Sequence, residues 1–335
     1  MSNSNCTVAP DAVPSDAGVA GIGVLLSFMI TAVISLLISA SLVFQEARST
    51  RKGNSSYLKP SVLRRKLLNA YSDQQILTGI GIQSVGLSQT KTMAPYHFFL
   101  VWMLSLLSMS VHNATLLALA RDFRRDWVLR WMRQFLMFVN LVLSCVYGVY
   151  ILQAVRQGLS NETFAVSCAW DSETPNGPTP NDSTLSYIGT VAVIAGNVVI
   201  FALATWYLHS RSQRFYVIFQ VVGLLLMAAF AVGATVRVAL LADAFADPPV
   251  KLSDSGEQQW SFGQLLSVGM LVLPLVSTVE ILRGEIKCAP TPGADYDDDK
   301  GQLLGEGQEL RSNPRTRSDF QPNPFFGSQT NLFRK

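Results

Sequence analysis

Residues 19–44 read VAGIGVLLSFMITAVISLLISASLVF, and this uncharged stretch decides the fold class. A helix needs about 20 mostly apolar residues to cross a membrane, because the hydrocarbon layer is ~30 Å thick. The stretch exceeds that length and no basic residue precedes it, which is atypical of a cleaved signal peptide. It therefore predicts a transmembrane helix that is retained in the protein.

The rest of the chain repeats this pattern. Of its 335 residues, 49% are hydrophobic and only 15% are charged, and the charged residues are largely excluded from the apolar stretches. Soluble domains carry about 25% charged residues, so we expect an all-α, polytopic membrane protein with a bundle of seven transmembrane helices. The predicted spans are residues 19–44, 74–87, 96–120, 134–154, 186–208, 215–242 and 261–282.

Basic residues are distributed unequally between the two sides of the predicted bundle. The three loops on one side hold seven, five and two Lys and Arg residues, whereas the opposite side holds three in all. Cytosolic loops carry the excess of positive charge, so the N-terminal segment 1–18 is predicted to be extracytoplasmic and the C-terminus cytosolic. The transmembrane domain covers residues 19–288, and the polar residues 289–335 are predicted to form a disordered cytosolic tail.

The formal net charge of +3 comes mainly from these basic loops. Their natural counterpart is the anionic lipid headgroup, so the predicted partners are membrane lipids and a lipid-like small molecule, and nucleic acid is excluded. Protein partners are left open. The predicted location is a multi-pass position in the plasma membrane or an endomembrane.

Sequons and cysteines add to this orientation. Glycosylation sequons at Asn5, Asn161 and Asn181 lie on the predicted outer side, where they can be modified. Cys6 and Cys168 also lie there, so a disulfide between them and a chance placement are equally compatible with the sequence. Two further sequons, at Asn54 and Asn113, are expected to stay bare, and Cys288 is either a palmitoylation site or a plain thiol.

Polar side chains inside the predicted spans are the candidates for chemistry, because a charge near a helix centre costs about 2.5–3.5 kcal/mol. We expect a polar chamber open toward the inner leaflet, with Asp73 and Glu280 as catalytic acids and His112 as proton relay. Arg237 and His97 form a second candidate site in the outer half. The remaining side chains of the chamber are Gln74, Gln75, Asn113, Asn140 and Gln220.

Structural interpretations stand beside these roles. Ser72-Asp73-Gln74-Gln75 has the form of a helix-capping box, which would place Asp73 in the first turn of span two. Glu280 lies near Arg283 at the end of span seven, where charged groups reach the interface. His112 and Asn113 fit interhelical hydrogen bonds, and Arg237 fits an arginine that extends to the outer headgroups.

Aromatic residues recur at helical spacing between spans three and four, with arginines on the other faces. This pattern predicts a separate helix that lies in the inner headgroup plane, and a docking surface for a cytosolic partner is the alternative. The apolar positions are Phe123, Trp127, Val128, Trp131 and Met132.

Several catalytic signatures are missing from the sequence. It contains no His-Glu-x-x-His, no Gly-x-Ser-x-Gly, no phosphate-binding loop and no Cys-x-x-Cys pair. We therefore predict neither a metal site nor a cofactor.

Three segments resemble a large group of filamentous-fungal integral membrane proteins: residues 71–80, Tyr96-His97-Phe98-Phe99, and residues 122–135. The resemblance implies a fungal origin and a multi-pass topology rather than a mechanism. Members of the group are similar, in size and span count, to the membrane-bound terpene cyclases of fungal secondary metabolism. The motifs of those enzymes are not matched here residue by residue.

Three functional hypotheses follow. The first is a protein that handles a lipid-like or prenylated small molecule in fungal secondary metabolism, through acid-initiated cyclisation or isomerisation. The second is a seven-helix receptor-like sensor, which the outer N-terminus and the polar cytosolic tail favour. The third is a non-enzymatic structural membrane protein.

Overall fold

The computed structural model describes residues 6–51, 62–120, 123, 127–159, 163–171, 183–209 and 216–283. In these ranges the chain is all-helical, with a single isolated β-bridge between Val13 and Leu252. The helices are α1 (Ile22–Arg51), α2 (Val62–Ser88), α3 (Pro95–Ala118), α4 (Trp127–Arg156), α5 (Ser183–His209), α6 (Tyr216–Leu241), α7 (Phe262–Gly269) and α8 (Leu273–Leu282). A short 3-10 helix, Val166–Trp170, lies between α4 and α5.

Five helices are long and apolar enough to cross a membrane, and they coincide with five of the predicted spans. The prediction of an all-helical membrane protein is confirmed to this extent for the described residues. The five segments are Ile22–Arg48, Pro95–Ala118, Arg130–Arg156, Tyr187–Trp206 and Val217–Leu241.

Helix α2 differs from the predicted second span, because it begins at Val62 and not near Gln74. The residues between these positions are good helix formers, and the nearest upstream helix breaker in the sequence is Pro60. The capping-box interpretation of Ser72 is therefore wrong. Ser72 and Asp73 lie in the middle of a continuous helix, where a side chain has no free terminal N–H groups to cap.

The last predicted span is broken into α7 and α8 by a turn at residues 270–272. Pro274 has no N–H to donate to Met270, and the backbone between the two helices makes shorter-range hydrogen bonds instead, such as Val272 N to Gly269 O at 3.0 Å. The carbonyl of Leu271 accepts a hydrogen bond from the Tyr71 hydroxyl of α2 at 3.3 Å. A neighbouring helix thus compensates for a bond lost at the break.

The separate interfacial helix is also a wrong prediction. Trp127 to Met132 form the first turns of α4 and continue directly into its apolar part. Trp131 and Met132 are exposed, whereas Phe123 is buried against the bundle. The side chains of Trp127 and Val128 lie outside the described part of the chain. A separate interfacial helix and the first turns of α4 have the same helical spacing of apolar residues, so the sequence pattern did not distinguish the two arrangements.

Helix α3 is the central element of the bundle. Its apolar stretch is completely buried, and it contacts α1, α2, α4, α5 and α6. Helices α4, α5 and α6 instead bury only 39%, 22% and 28% of their most apolar stretches. Their exposed Phe, Leu and Val side chains suit a lipid environment, because a helix that is apolar all round is not stable in water.

One end of the bundle is closed by irregular chain, which we call the cap: residues 6–21, 89–94, 163–171 and 242–261. Cys6 and Cys168 are joined by a disulfide, with S–S 1.98 Å and Cα–Cα 5.5 Å. Val13 N donates to Lys251 O at 2.9 Å, and Val13 O accepts from Ser253 N at 2.8 Å. The cap therefore connects the N-terminal segment to two distant loops.

Candidate functional site

The predicted chamber is in part a buried hydrogen-bond network between α2, α3 and α4, which we call the α3 network: Ser72, Gln75, Ser108, His112 and Asn140. Gln75 takes part through its backbone carbonyl, and its side-chain Nε2 has no partner among the described residues. The Ser108 hydroxyl donates to Gln75 O at 2.9 Å and lies 2.9 Å from His112 Nε2. Ser72 Oγ lies 3.5 Å from His112 Nδ1. None of these five side chains is more than 2% exposed. The arrangement is a sealed network and not a chamber open to one leaflet.

The hydrogen bonds define the chemical form of His112. Ser108 has a single hydroxyl hydrogen and donates it to Gln75 O, so Nε2 of His112 must be the donor toward Ser108 Oγ. The ring is fully buried and no described carboxylate contacts it, so it is neutral and Nδ1 accepts from the Ser72 hydroxyl. Both ring nitrogens of a neutral imidazole are satisfied by side chains of the bundle, so this geometry supports helix association better than proton relay to a substrate.

The α3 network continues along α2 and α4. Asn140 Nδ2 contacts Ser108 Oγ at 3.4 Å, and Asn140 Oδ1 accepts from Gln83 Nε2. Tyr147 OH donates to Gln83 O at 2.8 Å. Two glycines of α2 make this close packing possible: a Cβ on Gly79 would lie 2.5 Å from Ser108 Oγ, and a Cβ on Gly86 would collide with the Tyr147 hydroxyl.

Asp73, the first candidate acid, forms an ion pair with Arg133 of α4. Arg133 also donates to Asn69 Oδ1 at 2.7 Å, and its guanidinium lies 5.0 Å from the ring centroid of Phe123. The carboxyl group of Asp73 therefore has an internal partner in the bundle, which sequence reasoning did not assign to it.

The other chamber residues do not converge on the α3 network. Gln220 of α6 donates to Leu117 O at 2.7 Å and to Glu46 Oε2 at 3.2 Å. Asn113 is fully buried, and both atoms of its amide lack a hydrogen-bond partner among the described residues. Gln74 is partly exposed on α2. Glu280 belongs to α8, but its side chain lies outside the described part of the structure.

A second polar site, of which the sequence indicated only His97, lies where the cap meets α3. We call it the cap cluster: Tyr96, His97 and Glu257. His97 Nε2 is 2.5 Å from Glu257 Oε1, and the Tyr96 hydroxyl donates to Glu257 Oε2 at 3.1 Å. Glu257 is 0% exposed although it belongs to a loop. A buried carboxylate requires such partners, because an unpaired charge in this environment is costly.

Backbone contacts attach the cap cluster to three segments of the chain. Asp16 N approaches Glu257 Oε1 at 3.5 Å, and Ile22 N at the start of α1 donates to Glu257 O at 3.1 Å. Asp243 N, just after α6, donates to Tyr96 OH at 2.9 Å. Glu257 thus joins the N-terminal segment and loop 242–261 to the first turn of α3.

The cap cluster replaces the predicted outer site. His97 contacts Glu257, whereas Arg237 is exposed on α6 and no ion pair or hydrogen bond joins it to His97 in the described ranges. The sequence offers no pattern that distinguishes Glu257 from the exposed Asp254 three positions earlier. Only tertiary contact identifies the buried carboxylate.

Acidic groups around the cap differ in their electrostatics. Burial, followed by repulsion from the nearby carboxylates of Glu257 and Asp247, raises the pKa of Asp243 above its usual value. Hydrogen bonds from the Ser15 hydroxyl and the Gly256 N–H lower the pKa of the exposed Asp254. Burial thus favours the neutral form of Asp243, whereas hydrogen bonds favour the charged form of Asp254.

Other predicted sites are only partly covered by the structure. Asn5, Asn161, Asn181 and Cys288 lie outside the described residues, as does the tail after residue 283. Within the described ranges, no group of three or more His, Cys, Asp or Glu side chains is arranged to hold a metal ion.

No protein-family model, no curated protein and no solved structure matches the chain. The resemblance to fungal membrane proteins stays a prediction, and function has to be inferred from the cap cluster and the α3 network.

Proposed function

We propose that the chain is a seven-span membrane protein that works as a receptor-like sensor, with the cap outside and the C-terminus in the cytosol. One observation carries the proposal: the same buried helix, α3, contributes His97 to the cap cluster and His112 to the α3 network. These residues are 15 positions apart, which corresponds to about 22 Å along a helix. The helix connects a site in the cap to polar contacts deep in the bundle.

Two weaker spans complete the proposed count of seven. Helix α2 has 27 residues, enough to cross the bilayer, although its first turns are basic. Helices α7 and α8 together continue through one broken span, and Tyr71 compensates for the break. The unequal distribution of basic loops supports a cytosolic C-terminus. A disulfide in the cap supports an oxidising compartment on the capped side.

In the proposed mechanism, a stimulus changes the contacts of Glu257 with the first turn of α3. A small shift of α3 then alters its hydrogen bonds to α2 and α4. Ser108 contacts the Gln75 carbonyl of α2 and the Asn140 amide of α4, and His112 contacts Ser72 of α2. Packed helices shift between discrete arrangements and do not deform continuously. Helix α4 begins at the opposite end of the bundle, beside the Asp73–Arg133 ion pair, where the signal would reach the cytosolic side.

A fluorescent reporter at the opposite end of the bundle tests this coupling. Met132 is 55% exposed in the first turns of α4, so Met132→Cys can carry the dye after Cys145→Ser and Cys288→Ser remove other thiols. In nanodiscs, Glu257→Gln is expected to change the emission of the dye, and adding Ser108→Ala is expected to suppress that change.

Asp254→Asn is the matched control, because it removes a carboxylate from the same loop without touching the cap cluster. Its emission should equal that of the labelled parent. If Glu257→Gln also leaves the emission unchanged while the protein remains folded, the two ends are not coupled and the sensor proposal is wrong.

One observation favours a second candidate function, the handling of a lipid-like or prenylated molecule. An apolar groove of about 450 Å³ lies on α4, lined mainly by Val, Leu and Phe side chains together with Cys145 and Tyr150. A hydrocarbon chain of suitable size would fit this groove. Acid-initiated chemistry is less well supported, because Asp73 is paired with Arg133. Product formation by Asp73→Asn at the parental rate would remove Asp73 from any such reaction.

A further inference from the structure

We propose that the groove on α4 binds a single-chain lipid alcohol, which is a hydrocarbon chain with one hydroxyl group, and that Trp102 and Asn197 bind the hydroxyl. The inference rests on the second candidate function and deepens it by naming the class of molecule and its polar contacts. It does not depend on coupling along α3, so it can be tested separately from the sensor proposal.

The groove lies along the seam between α4 and α5. Its α4 wall extends from Phe138 to Tyr150, and Val198 lines it from α5. The ends of the α4 wall are 12 positions apart, which corresponds to about 18 Å along a helix. A volume of about 450 Å³ over that length gives a cross-section of about 25 Å². This is the width of one hydrocarbon chain, whereas the fused rings of a sterol are wider.

The groove opens to the lipid around the bundle. Val142 and Val149 of its α4 wall are 43% and 49% exposed, so a molecule can enter sideways from the bilayer. The groove is about as long as one leaflet is thick, which is half of the ~30 Å hydrocarbon layer. Ligand sites of this kind combine an apolar lining with a few polar groups that fix the orientation of the ligand. Two such groups lie behind the groove.

The indole of Trp102 approaches the seam from α3. Trp102 is 2% exposed, and its Nε1 has no hydrogen-bond partner among the described residues. A Cβ on Gly148 would lie 3.7 Å from Trp102 Cζ2, and Gly148 directly precedes the groove residue Val149. Cζ2 and Nε1 lie on the same edge of an indole. The unpaired N–H donor therefore lies next to the seam, on the bundle side of the groove.

Asn197 approaches the seam from α5. It is 3% exposed, and its Oδ1 has no hydrogen-bond partner in the described ranges. Ile194 packs against Gly148 of α4, where a Cβ would collide with Ile194 Cδ1. Residues three positions apart lie on the same face of a helix, so Asn197 shares the face of Ile194. The next residue, Val198, lines the groove. An unpaired acceptor thus lies at the same seam as the unpaired donor.

A hydroxyl group matches these two atoms because it both accepts and donates a hydrogen bond. It can accept from Trp102 Nε1 and donate to Asn197 Oδ1 while its chain lies in the groove. A plain hydrocarbon chain leaves both buried atoms unpaired, which is costly. A charged headgroup does not fit, because the residues that line the groove carry no charge to neutralise it.

Photo-crosslinking of the full chain in nanodiscs tests the proposal. The probe is hexadecanol with a diazirine in its chain, and mass spectrometry identifies the labelled peptides. Labels are expected on α4 between Phe138 and Tyr150. The competitors are unmodified hexadecanol and 1-chlorohexadecane, which has the same chain but no hydroxyl, compared at equal mole fractions in the bilayer. The alcohol should compete about tenfold better, because only the alcohol hydrogen-bonds to both atoms.

Variants assign the effect to the groove and to its polar contacts. Asn197→Leu removes the amide at similar size, so labels should stay on α4 while the preference for the alcohol falls toward unity. Val146→Phe fills the groove and should abolish labelling. Val232→Phe is the matched control, because Val232 is 62% exposed on α6, and its labelling should equal that of the parent.

Equal competition by the alcohol and the chloroalkane in the parent overturns the proposal, since the groove then holds only surrounding lipid. Labels that Val146→Phe leaves unchanged, or a preference that Asn197→Leu retains, also overturn it. If Asn197→Leu does not fold, Trp102→Phe decides in the same way. Equal competition with labelled α4 leaves the second candidate function in place, whereas a parent without labels on α4 contradicts both. The dye at Met132 reports on the sensor proposal independently of these results.

Discussion

The two histidines of α3 illustrate how the same side chain acquires different chemistry from its neighbours. His112 lies between two serine hydroxyls and is held as a neutral donor and acceptor. His97 forms a hydrogen bond with the carboxyl group of Glu257 instead. The sequence indicated both as buried polar residues, but it did not reveal their partners, because Ser72 and Glu257 are 40 and 160 positions away.

Gly79 and Gly81 provide a matched test of the α3 network. A Cβ at Gly79 would meet Ser108 Oγ at 2.5 Å, whereas a Cβ at Gly81 has no atom within 4 Å. Gly79→Ala should lower the free energy of unfolding by about 1–3 kcal/mol, the usual cost of overpacking. Gly81→Ala should be neutral or stabilise by up to about 1 kcal/mol, since alanine favours helices.

Thermal unfolding of the purified variants in one detergent, followed by circular dichroism, measures both effects. Equal midpoints for Gly79→Ala and Gly81→Ala would show that α2 does not approach α3 as closely as the structure indicates.

Among the elements, the long apolar helices were predictable, whereas the start of α2 and the break before α8 were not. The stretches that became α1, α3, α4, α5 and α6 contain enough apolar residues to identify them without tertiary information. The start of α2 was missed because charged residues at 64–66 look like a loop when only hydropathy is considered. The break before α8 lies at Pro274, and the Leu271 carbonyl at the break accepts a hydrogen bond from the Tyr71 hydroxyl of α2. The sequence does not show that contact.

Tyr71 and Pro274 are expected to be energetically coupled. Tyr71→Phe leaves Leu271 O without its hydroxyl donor and should cost about 0.5–1.5 kcal/mol. Pro274→Ala restores a backbone donor at that position and allows a continuous helix, in which Leu275 N can bond to Leu271 O. In the Pro274→Ala background, Tyr71→Phe should therefore cost less.

A double-mutant cycle on unfolding free energies measures this coupling. Tyr187→Phe is the control, because Tyr187 is 43% exposed on α5. Additive effects of Tyr71→Phe and Pro274→Ala would mean that the hydroxyl does not compensate for the broken helix.

For the whole molecule, the number of membrane crossings determines on which side of the membrane each loop and each terminus lies. Composition predicted a membrane protein, and five helices of suitable length support it. The inner chamber was inferred by assigning depth to residues along separate spans, and depth alone does not determine which helix faces meet. This is why Gln220 and Asp73, placed together by depth, belong to different contacts in the structure.

An odd number of spans places the two ends of the chain on opposite sides. In sealed vesicles, an impermeant protease is expected to remove a tag from one terminus and to leave the other intact until detergent is added. Removal of both tags, or of neither, before detergent would contradict the seven-span proposal and the orientation of the cap.

The link between Cys6 and Cys168 also constrains the order of biosynthesis. Its two sulfurs are separated by 162 positions, so the ribosome must deliver four helices before the bond can form. Leu252, which forms the isolated bridge with Val13, emerges later still. The N-terminal segment, although translated first, can therefore complete its contacts only after nearly the entire bundle has been made, and the cap is among the last parts to form.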